Sequence, residues 1–350
     1  MAINNRQKSI LEFVDTKQKA SAQEVISHLV SSGFEKASKA TVLRDIALLL
    51  EKDLIKKVGS KRNVIYKTKT ENPLLKYFDV KEYYKTVADL RTVKENYQPE
   101  ILPHLESLFS DREIKHLTSL NNEYQKRKAK LSETALRKEF ERITIEFTWK
   151  SSRIEGNTYS LVDTEVLIKQ NKPAPGHSKE ETQMILNHKE AVEYIFSKPK
   201  VFEKISAQKI RTIHSLAVKD LGIETGLRKS IVGITGTKYK PIDNQHQISD
   251  AISQTCRVIN RTKEPISKAL IGVLMISYIQ PFMDGNKRTA RITSNALLNA
   301  YNWAPISYRS VDEAEYKKAM LLFYEQNSAN YFKELFVQQF EFSVNNYFGA

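Results

Sequence analysis

Residues 280–291 read Gln280-Pro281-Phe282-Met283-Asp284-Gly285-Asn286-Lys287-Arg288-Thr289-Ala290-Arg291. An apolar run, Ala269 to Ile279, leads into this polar turn, and a second helical pattern starts at once. The free N–H groups and the positive dipole end of such a helix start form an anion-binding nest. Lys287, Arg288 and Arg291 add full positive charges, and Gly285 and Asn286 supply the turn. Asp284 is a hard oxygen donor of the kind Mg²⁺ accepts beside a nucleotide phosphate. The chemistry expected is phosphate binding; a plain capped helix start is the bland alternative.

The stretch resembles the signature of the Fic family, His-Pro-Phe-x-[Asp/Glu]-Gly-Asn-Gly-Arg-x-x-Arg. It departs at two positions: Gln280 stands where the family has its histidine, and Lys287 where most members have a second glycine. The resemblance implies a protein AMP-transferase that takes AMP from ATP, with Mg²⁺, onto a protein hydroxyl of an unknown target or of the chain itself. It places Asp284 on the metal, Asn286 and Arg288 on the α- and β-phosphates and Arg291 on the γ-phosphate. It places Gln280 where the general base stands. Glutamine takes no proton at neutral pH, and losing such a base removes about two to four powers of ten in rate. Gln280 fits a decayed catalyst kept as a nucleotide-dependent regulator, and equally a substitution introduced to trap a complex. A Gly-Asn-Lys-Arg version also occurs in the related, much shorter Doc toxins, which bind ATP in another orientation and phosphorylate a target.

Upstream, Ser151-Ser152-Arg153-Ile154-Glu155-Gly156-Asn157 ends a helical run. Alone it reads as a helix end with a glutamate in the last turn. Together with 280–291 it resembles the inhibitory motif [Ser/Thr]-x-x-x-Glu-[Gly/Asn] of self-inhibited Fic proteins. The implied roles are Ser151 steadying that helix and Glu155, followed by Gly156, pairing with Arg291. One guanidinium cannot serve a carboxylate and a phosphate bidentately at once. Residues 226–243, with glycines among β-branched residues, suggest a hairpin and match the family's flap, carrying Val232, Ile234 and Tyr239. Such a flap takes an extended target segment as an added strand. The resemblance covers about residues 75–345.

The elements that must position these groups are mostly helical. Ile10, Leu11, Phe13 and Val14 form the face of a first helix, Ser21 begins a second, and Ser38 is the expected N-cap of a third carrying Val42, Ile46 and Leu49. Leu54–Val58 and Val64–Tyr66 read as two strands around a turn. The order is similar to a winged helix-turn-helix, with Lys39, Thr41 and Arg44 on the recognition helix and Lys61 and Arg62 at the wing tip. Residues 1–70 hold 14 Lys/Arg against 7 Asp/Glu, a local balance of +7 within +14 for all 350 residues. This basic face points to DNA as a partner.

Asn72-Pro73 marks a boundary, and from Tyr77 to Lys198 the period is helical. The expected domains are 1–72, a winged helix-turn-helix; 73–198, a helical region with the inhibitory motif at 151–157; and 199–350, a Fic core with the flap and signature loop. The fold class is mostly α, a Fic-type helical core with a hairpin flap and the N-terminal winged module. Hydrophobic residues at 41% and charged residues at 27% fit a globular chain. No apolar run is long enough to span a bilayer, and Cys256 is the single cysteine, which excludes an internal disulfide framework and a cysteine zinc site. The cytoplasm is the expected compartment, and a homodimer would suit a palindromic operator. The alternative function is a non-catalytic, nucleotide-binding transcriptional regulator that uses residues 1–70 on DNA.

Overall fold

The computed structural model describes residues 3–17, 19–34, 37–59, 64–69 and 72–349. The chain divides into two compact units, Met1–Lys85 and Thr86–Ala350.

In the first unit, α1 (Asn5–Lys17), α2 (Ala22–Ser31) and α3 (Lys39–Glu51) surround a small sheet. Ser21 caps α2 in a capping box with Glu24, and Ser38 caps α3 by accepting the Thr41 N–H. The sheet order is β1 (Ala20–Ser21), β3 (Ile65–Thr68), β2 (Ile55–Val58), all antiparallel, with Val58 opposite Ile65 and Ile55 opposite Thr68. Ile10, Val14, Val25, Leu29, Val42, Ile46 and Leu49 close the core. Phe13, expected in it, is only partly buried and stacks on His28 at 4.3 Å. The buried Asp45 accepts hydrogen bonds from Gln7 (2.8 Å) and Arg6, which fixes α1 against α3. Asn72 lies inside this unit and caps the 3-10 turn begun by Pro73. A short helix, α4 (Val80–Tyr83), follows.

The second unit is built on α11 (Pro265–Ile279), buried at every position from Ile266 to Ile279. A helix that is apolar all round must be wrapped on all sides. Its neighbours include α10 (Gln245–Arg261) and α12 (Asn286–Ala300), with α6 (Glu133–Ile154), α8 (Lys179–Ser197) and α9 (Ala207–Ala217) packed beyond. The remaining helices are α5 (Asp111–Lys128), α7 (Leu161–Gln170), α13 (Glu313–Gln326) and α14 (Asn330–Asn346). Phe332, Phe336 and Phe340 are buried in α14, so the aromatic tail is core.

Two expectations change. The stretch from Tyr77 to Ser110 is short turns, including a 3-10 run over Pro99–Ser107, instead of regular helix. Pro99 and Pro103 lack the N–H donors an α-helix there would need. Residues 226–243 carry no strand ladder of their own; the segment is an irregular excursion with a turn at Thr235-Gly236, and Lys240 bridges to Asn96. Its ends are fixed by side chains, which leaves the two limbs no need to pair with each other. Among the described residues, no helix is long and apolar enough to cross a membrane.

Candidate functional site

The site starts where α11 stops. Gln280 takes the left-handed conformation (φ 50°, ψ 61°) as C-cap, its N–H donating to Ile276 O at 3.1 Å. Its side chain folds back on the helix end, with Nε2 donating to Ser277 O at 2.6 Å, and is buried. The chain then loops through Phe282, which stacks on His214 of α9 at 3.7 Å. Asn286 closes the loop from both sides: Oδ1 accepts the Phe282 N–H and Nδ2 donates to Phe282 O, both at 2.8 Å. The Asn286 side chain, expected on phosphate, clasps its own loop here. Gly285 has φ 75°, and a Cβ there would meet Val218 Cγ1 at 2.7 Å, so only glycine fits. No side chain caps α12, so no side-chain oxygen takes up the donors of its first turn, the arrangement an anion site at a helix start requires.

Lys287, Arg288 and Arg291 follow at helical spacing on α12, and Asp284 sits in the bend just before it. The Asp284 carboxylate is 68% exposed and touches Arg288 Nη2 at 3.3 Å. Arg288, buried, also donates to Ala217 O at the end of α9 (3.3 Å). His214 Nε2 lies 3.0 Å from Asp284 O; burial lowers the imidazole pKa to about 4, so at neutral pH it is uncharged and donates from Nε2.

Arg291 is wholly buried. Its Nε donates to Ser151 Oγ (2.9 Å), Nη2 to Ser151 O (2.9 Å) and to Glu155 Oε1 (2.8 Å), and Nη1 to Tyr316 OH (3.4 Å). Burial opposes the charge, but Tyr316 and Glu155 hold the guanidinium more firmly protonated than usual. Glu155 is the C-cap of α6, and Gly156 turns the chain away at φ 101°. The second oxygen of Glu155 lies 3.8 Å from Lys287 Nζ. Burial would raise the Glu155 pKa, but Arg291 and Lys287 together bring it below the usual carboxylate value. The same turn of α6 is tied on its other side to Glu313 at the start of α13, by Lys150 (2.9 Å) and Arg153 (3.1 Å).

The structure thus brings together Ser151, Glu155, Lys287 and Arg291, and lines up Asp284, Gly285, Asn286 and Arg288 beside them. In the flap segment, Val232 and Ile234 are half-buried, and Tyr239 is buried, stacked on Tyr278 (4.8 Å) and Tyr324 (5.5 Å). On α3, Lys39 and Arg44 are exposed and Thr41 is half-buried; Lys61 and Arg62 lie outside the described residues. Sequence reasoning missed His214, Tyr316 and Glu313, which reach the site from segments far along the chain, and read Arg228 only as part of the flap segment. The clustered glycines before Arg228 and the apolar spacing around His214 mark their elements, not their contacts.

A family model described as "Fic/DOC family" matches residues 204–298. Protein adenylyltransferase fic-1 of Caenorhabditis elegans is 25% identical over 223 residues, covering 62% of this chain and 44% of that protein. Protein adenylyltransferase Fic of Nematostella vectensis is 28% identical over 174 residues, covering 48% and 40%. The chain therefore spans less than half the length of these relatives. The solved structure of Fic-1 (residues 134–508) from C. elegans superposes with a TM-score of 0.56 at 21% identity, covering 67% of this chain and 70% of that one. A Fic domain containing signaling protein from Bacteroides thetaiotaomicron gives 0.56 at 20% identity, covering 66% and 94%. The solved structures share the fold, and residues 204–298, which include the signature loop, match the Fic/DOC family model.

Proposed function

We propose that the chain binds ATP at the loop of residues 280–291 and transfers AMP to a protein hydroxyl, at a rate limited by Gln280 and restrained by Glu155. The observation that carries this reading is the seat of Glu155 on Arg291, beside an intact anion nest. A carboxylate held on the innermost arginine of a phosphate site occupies the position a terminal phosphate would take. Asp284 suits Mg²⁺ because its carboxylate is exposed and held by one contact at 3.3 Å. Among the described residues no group of three His, Cys, Asp or Glu could hold a metal, so an ion here would take phosphate and water oxygens as well. Bound Mg²⁺ would neutralise phosphate charge and leave the chemistry to the hydroxyl.

In the transfer, the hydroxyl oxygen bonds to the α-phosphorus, the bond to pyrophosphate breaks, and the hydroxyl proton needs an acceptor. Gln280 offers none, and its amide is turned onto Ser277. Arg288 and the first-turn N–H groups of α12 balance the phosphates, and Arg291 becomes available once Glu155 leaves. The relatives named as adenylyltransferases support AMP as the group moved. The test is intact mass after incubation with Mg²⁺-ATP of Glu155→Gly and of Glu155→Gly with Gln280→His. An AMP adduct in the double variant alone is expected; no adduct in either, with ATP bound, would overturn the transfer.

A second reading, a nucleotide-responsive regulator on DNA, draws on the first unit. There, Lys39 and Arg44 project from α3 while Val42, Ile46 and Leu49 face its core. Residues 1–85 would then contact DNA phosphates and base edges through α3.

A further inference from the structure

Arg228 is 2% exposed, yet its fork is satisfied by main-chain carbonyls drawn from two places. Its Nε donates to Gln280 O (2.6 Å), while Nη1 donates to Ser230 O (2.9 Å) and Nη2 to Ile242 O, one on each limb of the flap segment. Its own N–H donates to Pro281 O at 3.0 Å. Tyr239, on the returning limb, donates its hydroxyl to Tyr278 O at 2.9 Å, so a second anchor ends on the same helix terminus. The limbs have no ladder between them; these contacts tie their ends to the helix terminus, while Arg91 Nη2 donating to Gly236 O (2.6 Å) and the Lys240 N–H donating to Glu95 O (2.6 Å) hold the tip and the returning limb.

We propose that Arg228 is a positioning residue: it joins both limbs of the flap to the backbone of residue 280, so that the segment guiding an acceptor and the transfer centre keep one fixed spacing. This rests on the transfer reading above. Three carbonyls in different directions need the planar, multi-donor fork of arginine, and a lysine ammonium on a flexible stem reaches fewer of them with defined geometry. Gln280 also holds a left-handed conformation that a non-glycine residue keeps only when its surroundings enforce it, and Arg228 grips that residue's carbonyl. Arg228 touches none of the groups placed on the phosphates, so its loss separates alignment from nucleotide binding.

The experiment places Arg228→Lys and Arg228→Met in the Glu155→Gly, Gln280→His chain and measures ATP affinity, the rate of AMP adduct formation, and hydrogen exchange. ATP affinity is expected to stay within about twofold, while the adduct rate falls by about 100-fold in Arg228→Met, the scale of a 1 Å misplacement, and by less in Arg228→Lys. Amides of 229–243 and 282–284 are expected to exchange faster together, with those of α12 past its first turn unchanged. A rate loss matched by an equal loss of ATP affinity, or faster exchange in the flap with 282–284 still protected, would overturn the proposal. Absence of adduct in the parent chain would sink the transfer reading instead, and the exchange pattern would still decide whether Arg228 couples the two segments.

Discussion

Arg291 Nη2 sits 2.8 Å from Glu155 Oε1, and the same nitrogen donates to Ser151 O at 2.9 Å. The last turn of α6 therefore reads Arg291 twice, once through its backbone and once through its carboxylate. Removing the carboxylate leaves the guanidinium with Ser151 and Tyr316, so the charge stays solvated by the fold while the outward side of the site opens.

Glu155→Gly should accordingly bind ATP more tightly, by about tenfold or more, as titration calorimetry would record. The variant should also lose stability, by less than the roughly 3–5 kcal/mol of a broken buried pair, because Ser151 remains. Equal ATP affinity in both chains would mean that Glu155 is no latch.

Lys287→Gly removes a cation beside the proposed phosphate site, yet it should strengthen ATP binding, because Lys287 faces Glu155 at 3.8 Å. A pair this long and only partly shielded contributes about 0.5 kcal/mol, or roughly twofold. The gain should vanish in the Glu155→Gly background. Weaker binding in both backgrounds would assign Lys287 to the phosphates.

Stability should fall as acid is added from about pH 6.5 towards 4. The His214 imidazole is buried neutral with a pKa lowered to about 4, so the unfolded chain binds its proton first, and native stability present above the unfolded value is lost as pH drops. Urea unfolding at pH 7 and pH 5 should differ, and the difference should shrink in His214→Gln. Glu155 acts lower: its pKa is depressed, so the latch is fully formed above the ordinary glutamate value and weakens only as pH falls through the lowered one. The affinity gap between the parent and Glu155→Gly should hold constant from pH 6 to 8.

Gly285→Ala meets both a left-handed backbone and Val218 Cγ1 at 2.7 Å. A loss of about 2–3 kcal/mol is expected, combining backbone strain with overpacking. Chemical denaturation within experimental error of the parent would mean that the loop has room to shift.

Lys39→Ala with Arg44→Ala should lower affinity for duplex DNA and reduce the magnitude of its log–log salt slope by about 2, one for each phosphate no longer neutralised by a side chain. An unchanged slope would move any DNA-binding surface away from α3.

Much of the site was legible because its determinants are local. A helix N-terminus, a positive-φ glycine and cations at helical spacing are properties of consecutive residues, and so the loop at 280–291 could be read directly. The caps at Ser21 and Ser38 are local for the same reason, as each satisfies an N–H within three residues. The pairing of Glu155 with Arg291 came from resemblance, since no local rule joins residues 136 positions apart.

What the chain order could not carry is the use made of each polar group. Asn286, read as a phosphate ligand, clasps its own loop through both side-chain atoms; residues 226–243 looked like a hairpin and are held by Arg228, Tyr239, Arg91 and the backbone at Glu95 instead of a ladder. Lys287 looked like part of the nest and turns to Glu155. Sequence alone determined most of the helices, the helix start after Gly285 and the lack of a proton acceptor at residue 280, because helix starts, turns and side-chain pKa values follow from residue type and near neighbours. Only the tertiary structure decided which carbonyl, carboxylate or hydroxyl answers each buried donor, because that depends on the packing of α6, α9, α11, α12 and α13, and a buried charge must find its partner wherever the fold puts one.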